Sequence, residues 1–514
     1  MRVPLTIADH LDRAELVYPD RVGVLDEHDQ PASPWGELTY RRVAELARAQ
    51  AAALDGLGVA RGERIAIVSH NAARLLVSFF GVGAWGRVLV PVNFRLNADE
   101  VRYIVEHSGA SVLLVDPELD GALADIEAKH RFVLGAQTDP VLWPTDHPDP
   151  QPWAEPDEDA TATINYTSGT TARPKGVQLT HRNLWVNAAV FGWHAGVSDR
   201  DVYLHTLPMF HCNGWGMPFA LAGMGARQVV LRKVDGAEIL RRVEDQGVTL
   251  LCGAPAVVAA ILDAAESWDG PVPGRGRVRM VVAGAPPPTR TIERMETDLG
   301  WEFIQIYGLT ETSPLLTMNR SRAEWDDLDA AGRAARLVRA GAPTLGTTLQ
   351  TSEGDEVLAR SNVVLDGYWE QPDATAEALE GGWFHTGDGG TLEDGYLTIS
   401  DRKKDVIISG GENVSSIEVE DALFSHPAVA EVAVIGVPDE KWGETVKALV
   451  VLAPDAGPEA DERALIDHCR SRLAHYKCPT TVELRDELPR TATGKLQKFK
   501  LRAPYWEGRQ RQVN

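Results

Sequence analysis

Cysteine is scarce, basic charge is in deficit, and no apolar run approaches membrane length. The four cysteines among 514 residues, Cys212, Cys252, Cys469 and Cys478, are scattered without CxxC spacing. That pattern suggests neither a zinc site nor a disulfide framework, and it fits a reducing compartment. Lys and Arg number 51 against 74 Asp and Glu, a net charge of −23, and such a field opposes non-specific binding to nucleic acid or anionic lipid. An anionic ligand must therefore meet a local basic site. Residues 202–226 carry no formal charge, but Pro208, His211, Asn213 and Pro218 interrupt them, and the more apolar residues 75–85 fall far short of the ~20 that a membrane helix needs. Acids and bases break every apolar stretch of residues 1–20, so no signal-peptide core is expected there and a cytoplasmic location is.

What is present is an α/β rhythm. A helical pattern over residues 41–57 (RRVAELARAQAAALDGL) precedes a β-rich 64–69 (RIAIVS). Further strands are expected at 111–115, 249–252 and 278–282, beside helix-like 98–107 and 255–265, which together imply parallel sheets with helical cover. Residues 137–159, rich in Pro, Asp and Trp, read as a surface connection rather than packed structure. Residues 389–400 (GGTLEDGYLTIS) read as strand, Asp-Gly turn and strand, followed by the charged knot DRKKD at 401–405. Only three lysines precede that knot, and they become frequent after it. The domain boundary is therefore placed at Asp401, giving a main body over 1–400 and a small α+β unit over 401–514.

Four segments carry chemistry. Residues 164–177 (INYTSGTTARPKGV) run from a β-like lead into hydroxyl residues and glycines that end at Lys175. Small residues let backbone N–H groups approach phosphate oxygens, hydroxyls add donors, and the lysine adds charge. It is no Walker A loop, because Pro174 precedes Lys175 and Gly176 follows it, leaving out the second glycine and the magnesium-binding hydroxyl. Residues 304–314 (IQIYGLTETSP) set the hydroxyl of Thr310 beside the carboxylate of Glu311, a pair suited to phosphate and magnesium. Residues 382–388 (GWFHTGD) end on Asp388, which by itself reads as a turn aspartate. Residues 488–496 (LPRTATGKL) form a loop around Lys495, by itself a solvated lysine.

In that order, these segments resemble the adenylate-forming superfamily of acyl-CoA synthetases, luciferases and peptide-synthetase adenylation domains, from about Tyr40 to Leu501. The resemblance implies an α/β fold: a large N-terminal domain of stacked mixed sheets with helices and a distorted β-barrel, and a small mobile α+β C-terminal domain hinged at Asp401. It implies ATP contacts from Thr167, Ser168, Gly169, Thr170, Thr171 and Lys175, from Gly284, Ala285 and Pro286 beside adenine and substrate, and from Tyr307 and Gly308. Thr310 then meets the α-phosphate, Glu311 binds Mg²⁺, and Asp388 and Arg402 hold the ribose. Lys495 is the mobile catalytic lysine, touching both the attacking carboxylate and the α-phosphate, where cationic groups are needed most. His211, grouped with the catalytic residues, stands at the mouth of the acyl pocket, with Trp215 along its wall and Gly284 beside it. Gly410 and Gly411 leave room for pantetheine, and Trp442 and Tyr476 align with positions that pack near CoA in some relatives.

The implied reaction joins a carboxylic acid, ATP and CoA through an acyl-adenylate, with Mg²⁺ as cofactor and no nucleic-acid partner. A homodimer is compatible with this reading, which fixes no oligomeric state. The segment LPMFHCNGWGMPF (207–219) offers no carboxylate to pair a substrate ammonium, so the expected acid is a hydrophobic fatty, alicyclic or aryl one rather than an amino acid. Two departures stand out: Ala172 replaces a family glycine, and residues 346–360 look shortened, with Asp355 where the family has glycine. The shortening keeps open an enzyme that hands its acyl-adenylate to a carrier protein or a separate transferase. A luciferase-like oxygenase is disfavoured by the tail RQVN, which is not the peroxisomal tripeptide. A non-catalytic nucleotide or acyl binder is disfavoured because Lys495, Glu311 and Asp388 are all present.

Overall fold

The computed structural model describes residues 1–167, 174–284, 287–402, 407–409, 412–439, 442–454, 456–457, 460–490 and 496–507. Among them, two large sheets stack with helices between and outside. One sheet has seven strands in the order Gly367–Tyr368, Lys175–Thr180, Thr161–Thr167, Val88–Val92, Arg64–Val68, Ala110–Val115 and His130–Val133. The other has nine, and its centre (Glu302–Tyr307, Arg279–Val282, Leu250–Gly253, Val202–His205, Arg227–Val230, Val22–Leu25) is parallel throughout. Strands such as Val88–Val92 (VLVPV), buried at every position, are what a parallel sheet covered on both faces requires.

The helix Ala73–Gly83 is buried at all eleven residues, as an all-round apolar helix must be, and it shares one core with both sheets and with the helix Tyr40–Gly56. Inside it lies Arg74, whose Nε donates to Asp139 Oδ1 at 2.8 Å while its guanidinium stacks over Trp35. A buried cation persists only when it is paired in this way. Asp139 opens the short helix Asp139–Leu142, and Leu142 and Trp143 are buried in the same core. The reading of 137–159 as an unpacked connection is thus wrong at its start: two apolar side chains and the counter-ion of Arg74 anchor it, whatever the surrounding Pro and Asp suggest.

A four-stranded antiparallel sheet (Thr347–Thr351, Glu356–Ser361, Phe384–Glu393, Tyr396–Arg402) completes the main body. Its last hairpin turns at Asp394 and Gly395, both at positive φ, as a tight two-residue turn demands. The first hairpin occupies the segment that reads as shortened, and its Asp355 sits at φ 58°, a conformation glycine adopts most readily. The C-terminal unit has its own sheet and its own core, built from Ile407, Val419, Leu423, Val434, Val446 and Leu465. It meets the main body where Thr289 N and Oγ1 donate to Asp421 Oδ1 and Oδ2, at 2.9 and 3.2 Å.

Candidate active site

The strands Thr161–Thr167 and Lys175–Thr180 pair antiparallel, with Thr167 directly opposite Lys175. These two residues therefore fix both ends of the hydroxyl-rich loop, whose Ser168, Gly169, Thr170, Thr171 and Ala172 lie outside the described residues. Lys175 Nζ stands 4.6 Å from the centre of the Tyr368 ring, a cation–π contact. The Tyr368 hydroxyl donates to Glu311 Oε1 at 3.0 Å. Burial, and then the Glu311 carboxylate, pushes the Tyr368 phenol up, so it stays protonated and donating.

Glu311 sits in the single turn Thr310–Thr312 that follows the strand Glu302–Tyr307. Gly308 permits that turn, since a Cβ there would collide with the Pro314 carbonyl. The backbone of Glu311 is tied by Leu365 N, which donates to its carbonyl at 2.7 Å. Cys212 Sγ reaches the Thr310 carbonyl at 3.9 Å. Burial, and then Glu311, pushes this thiol up, so it is no thiolate nucleophile.

Asp388 is buried on the strand Phe384–Glu393, its amide donating to Thr386 Oγ1 at 3.2 Å. The Tyr307 hydroxyl donates to Asp388 Oδ2 at 2.8 Å. The residue expected beside adenine and the one expected on the ribose are therefore in contact. Arg402 pairs with Asp388 across the backbone ladder, and Asp401 with Gly389; their side chains are outside what is described. Gly284 is exposed at φ 96° just past the strand Arg279–Val282, while Ala285 and Pro286 lie outside the described residues.

The segment carrying His211 and Trp215 is held by asparagines. Asn71 Nδ2 donates to the carbonyls of His205, Leu207 and Leu231, and its Oδ1 accepts from Met209 N. Asn187 Nδ2 donates to the Trp215 carbonyl at 3.1 Å, and its Oδ1 accepts from Leu315 N at 3.2 Å. His211 is half-buried. Trp215 is 4% exposed and packs in a core with Cys212, Val281, Ala283, Ile304 and Ile306. Trp442 and Tyr476 stand half-exposed on the C-terminal unit, and Gly410, Gly411 and Lys495 lie outside the described residues. Among the described residues no cluster of three or more His, Cys, Asp or Glu could hold a metal by itself. Sequence reasoning missed Tyr368 and the asparagines; the signal for part of it was the run Thr161, Thr163, Asn165, Thr167, polar at every second position of a central strand.

Lys175, Tyr368 and Glu311 thus form one line of contacts and Tyr307 with Asp388 another, the two joined by the stretch from Tyr307 to the turn Thr310–Thr312. The family model for AMP-binding enzymes matches residues 11–369, and that for the AMP-binding enzyme C-terminal domain matches 418–495. Among the relatives, a 2-methylpropanoate–CoA ligase of Humulus lupulus is 37% identical, over 97% of this chain and 95% of its own. A 4-hydroxybutyrate–CoA ligase of Metallosphaera sedula is 36% identical, over 96% and 93%. A crystal structure of an anthranilate CoA ligase with anthranoyl-AMP superposes with a TM-score of 0.86 at 28% identity, over 98% of this chain and 99% of that one. The chain belongs to the AMP-binding enzyme family, in its acyl-CoA synthetase branch: it is an ATP-dependent, AMP-forming acid–CoA ligase.

Proposed function

We propose that this synthetase activates a small apolar carboxylic acid, a short branched or straight aliphatic acid before a long-chain one. The observation that carries the choice is Trp215, buried in an apolar core within a segment that lacks a carboxylate for an ammonium group. The relatives named for 2-methylpropanoate, 4-hydroxybutyrate and acetate or butyrate support a short acid.

In the first step a carboxylate oxygen attacks the α-phosphorus of ATP. A P–O bond forms, the bond to the bridging oxygen breaks, and pyrophosphate leaves with that electron pair. Thr167, Ser168, Gly169, Thr170, Thr171 and Lys175 cradle the phosphates, Thr310 meets the α-phosphate, and Asp388 with Arg402 holds the ribose, oriented through Tyr307. Lys495 supplies the cation on the reacting oxygens. In the second step the CoA sulfur attacks the acyl carbon and AMP leaves, after the small unit turns about Asp401 to bring Gly410 and Gly411 to pantetheine. His211 stands at the mouth of the acyl pocket, and Trp442 and Tyr476 flank CoA.

Mg²⁺ fits the donor set. One carboxylate, that of Glu311, with oxygens from ATP phosphates is how this hard cation is commonly bound. When bound, it would neutralise phosphate charge. No helix among the described residues is long and apolar enough to cross a membrane. A relative from Arabidopsis thaliana is named as peroxisomal; for this chain we place the activity in the cytoplasm, in keeping with four buried, free cysteines.

The test is pyrophosphate release over a panel of acids: acetate, butyrate, 2-methylpropanoate, benzoate, decanoate and alanine. A kcat/KM maximum at butyrate or 2-methylpropanoate is expected. A maximum at decanoate or alanine overturns the substrate assignment.

A further inference from the structure

The strand Thr161–Thr167 carries Thr163 and Asn165 on one face, and both are almost fully buried. Burial there favours apolar side chains unless every polar atom finds a partner. Here each does, in a closed ring with Asn213. Thr163 Oγ1 donates to Asn165 Oδ1 at 2.9 Å, Asn165 Nδ2 donates to Asn213 Oδ1 at 3.0 Å, and Asn213 Nδ2 donates back to Thr163 Oγ1 at 2.9 Å. Asn165 Nδ2 also reaches the Phe210 carbonyl at 3.5 Å.

The ring joins two distant segments. One is the strand that runs into the phosphate loop; the other is the turn after His211. That turn is strained: Cys212, Asn213, Gly214, Trp215 and Gly216 have φ of 46°, 53°, 58°, 60° and 76°. A left-handed run is unfavourable at each L-residue, and three of these five have side chains. It persists only because its surroundings over-determine it. Asn213 clamps it to the strand, and Asn187 clamps the Trp215 carbonyl. Asparagine is among the side chains that tolerate this backbone best.

We infer that Thr163, Asn165 and Asn213 are positioning residues for the acid. The ring sets the turn, and with it His211 and Trp215, against the strand that delivers the phosphate loop, so that carboxylate and α-phosphate meet in register. Displacements of about 1 Å at such a junction cost on the order of 10²-fold in rate. The inference rests on the proposed assignment of the turn to the acid.

Thr163→Val tests it, because valine keeps the shape and removes the hydroxyl that both gives and takes a bond, whereas Thr163→Ser keeps the hydroxyl. Acid and ATP are varied separately in pyrophosphate-release kinetics, with competent enzyme counted by single-turnover acyl-AMP formation. Thr163→Val should raise the acid KM by about tenfold to a hundredfold, the effect of two lost buried hydrogen bonds. It should also narrow the selectivity between 2-methylpropanoate and benzoate, while the ATP KM stays put and Thr163→Ser behaves as the native enzyme. Unchanged acid KM and selectivity, an equal rise in the ATP KM, or equal damage from serine overturns the inference. Should Thr163→Val fail to fold, Asn213→Gly opens the ring while easing the left-handed backbone, and the same results decide. Trp215→Ala separates the two claims: if it alters selectivity and the ring variants do not, the ring inference alone fails; if neither does, the assignment of the turn to the acid fails too.

Discussion

Mild acid should destabilise this enzyme through three imidazoles that its core keeps neutral. Burial pushes His10, His181 and His205 down to about 4. Among the described residues His10 Nε2, His181 Nε2 and His205 Nδ1 have no hydrogen-bond partner, so protonation would leave a charged donor without an acceptor. In the unfolded chain an imidazole titrates near 6.5. Between that value and about 4 the unfolded chain binds more protons than the folded one, so stability that is whole above pH 6.5 is lost as the pH falls. From about pH 7.5 to about pH 5.5 each histidine contributes a loss of roughly 1.4 kcal/mol, and the three together about 4 kcal/mol. Against a domain stability of ~5–15 kcal/mol that is a large share. Urea unfolding at the two pH values, followed by tryptophan fluorescence, measures it. His10→Leu, placed against Trp185 and Phe219 where the imidazole now lies, should shrink the difference by about a third. A native enzyme equally stable at both values, or a His10→Leu variant with the full difference, refutes the reasoning.

Other outcomes follow from the site. Glu311→Gln should weaken the magnesium dependence of turnover while the fold survives, because it removes a charge and little volume; full activity with normal magnesium dependence would reject the metal role. Trp215→Ala should shift preference toward bulkier acids, since loss of the indole opens apolar volume, and an unchanged acid profile would make Trp215 a packing residue only. Lys495→Ala should cost about 10²–10³ in acid-dependent ATP–pyrophosphate exchange yet spare thioester formation from supplied acyl-adenylate and CoA. If both activities fall together, the lysine serves the fold or both conformations. If neither falls, it is a solvated loop residue.

The family was legible because its chemistry needs particular residues in a fixed order, and that order survives as a string: TSGTTARPKG, YGLTE, HTGD. The regular elements were legible for another reason. Periodicity is local, so the strand Arg64–Val68 and the helix Tyr40–Gly56 lie within a residue of their expected bounds, the latter capped by Thr39 accepting from Arg42 N. What stayed hidden depends on contacts between distant residues. Tyr368 meets Glu311 57 positions away, Asn165 meets Asn213 48 away, and Asn71 meets Met209 138 away. No window along the chain reveals such pairs. The left-handed run was hidden in a different way: Asn213, Gly214 and Gly216 permit it, but Cys212 and Trp215 argue against it, and only the clamps at both ends explain them.

The central claim, that the acyl group passes from acid to CoA through an adenylate, is tested most directly by mixing the purified full chain with 2-methylpropanoate and MgATP, first without and then with CoA. Without CoA, a burst of pyrophosphate close to one per enzyme should form and stop, with acyl-AMP retained. Adding CoA should then release AMP and start steady turnover, with thioester and AMP rising in equal amounts. Cleavage of ATP to ADP and phosphate, or pyrophosphate release that CoA neither accelerates nor converts into thioester, would contradict the account.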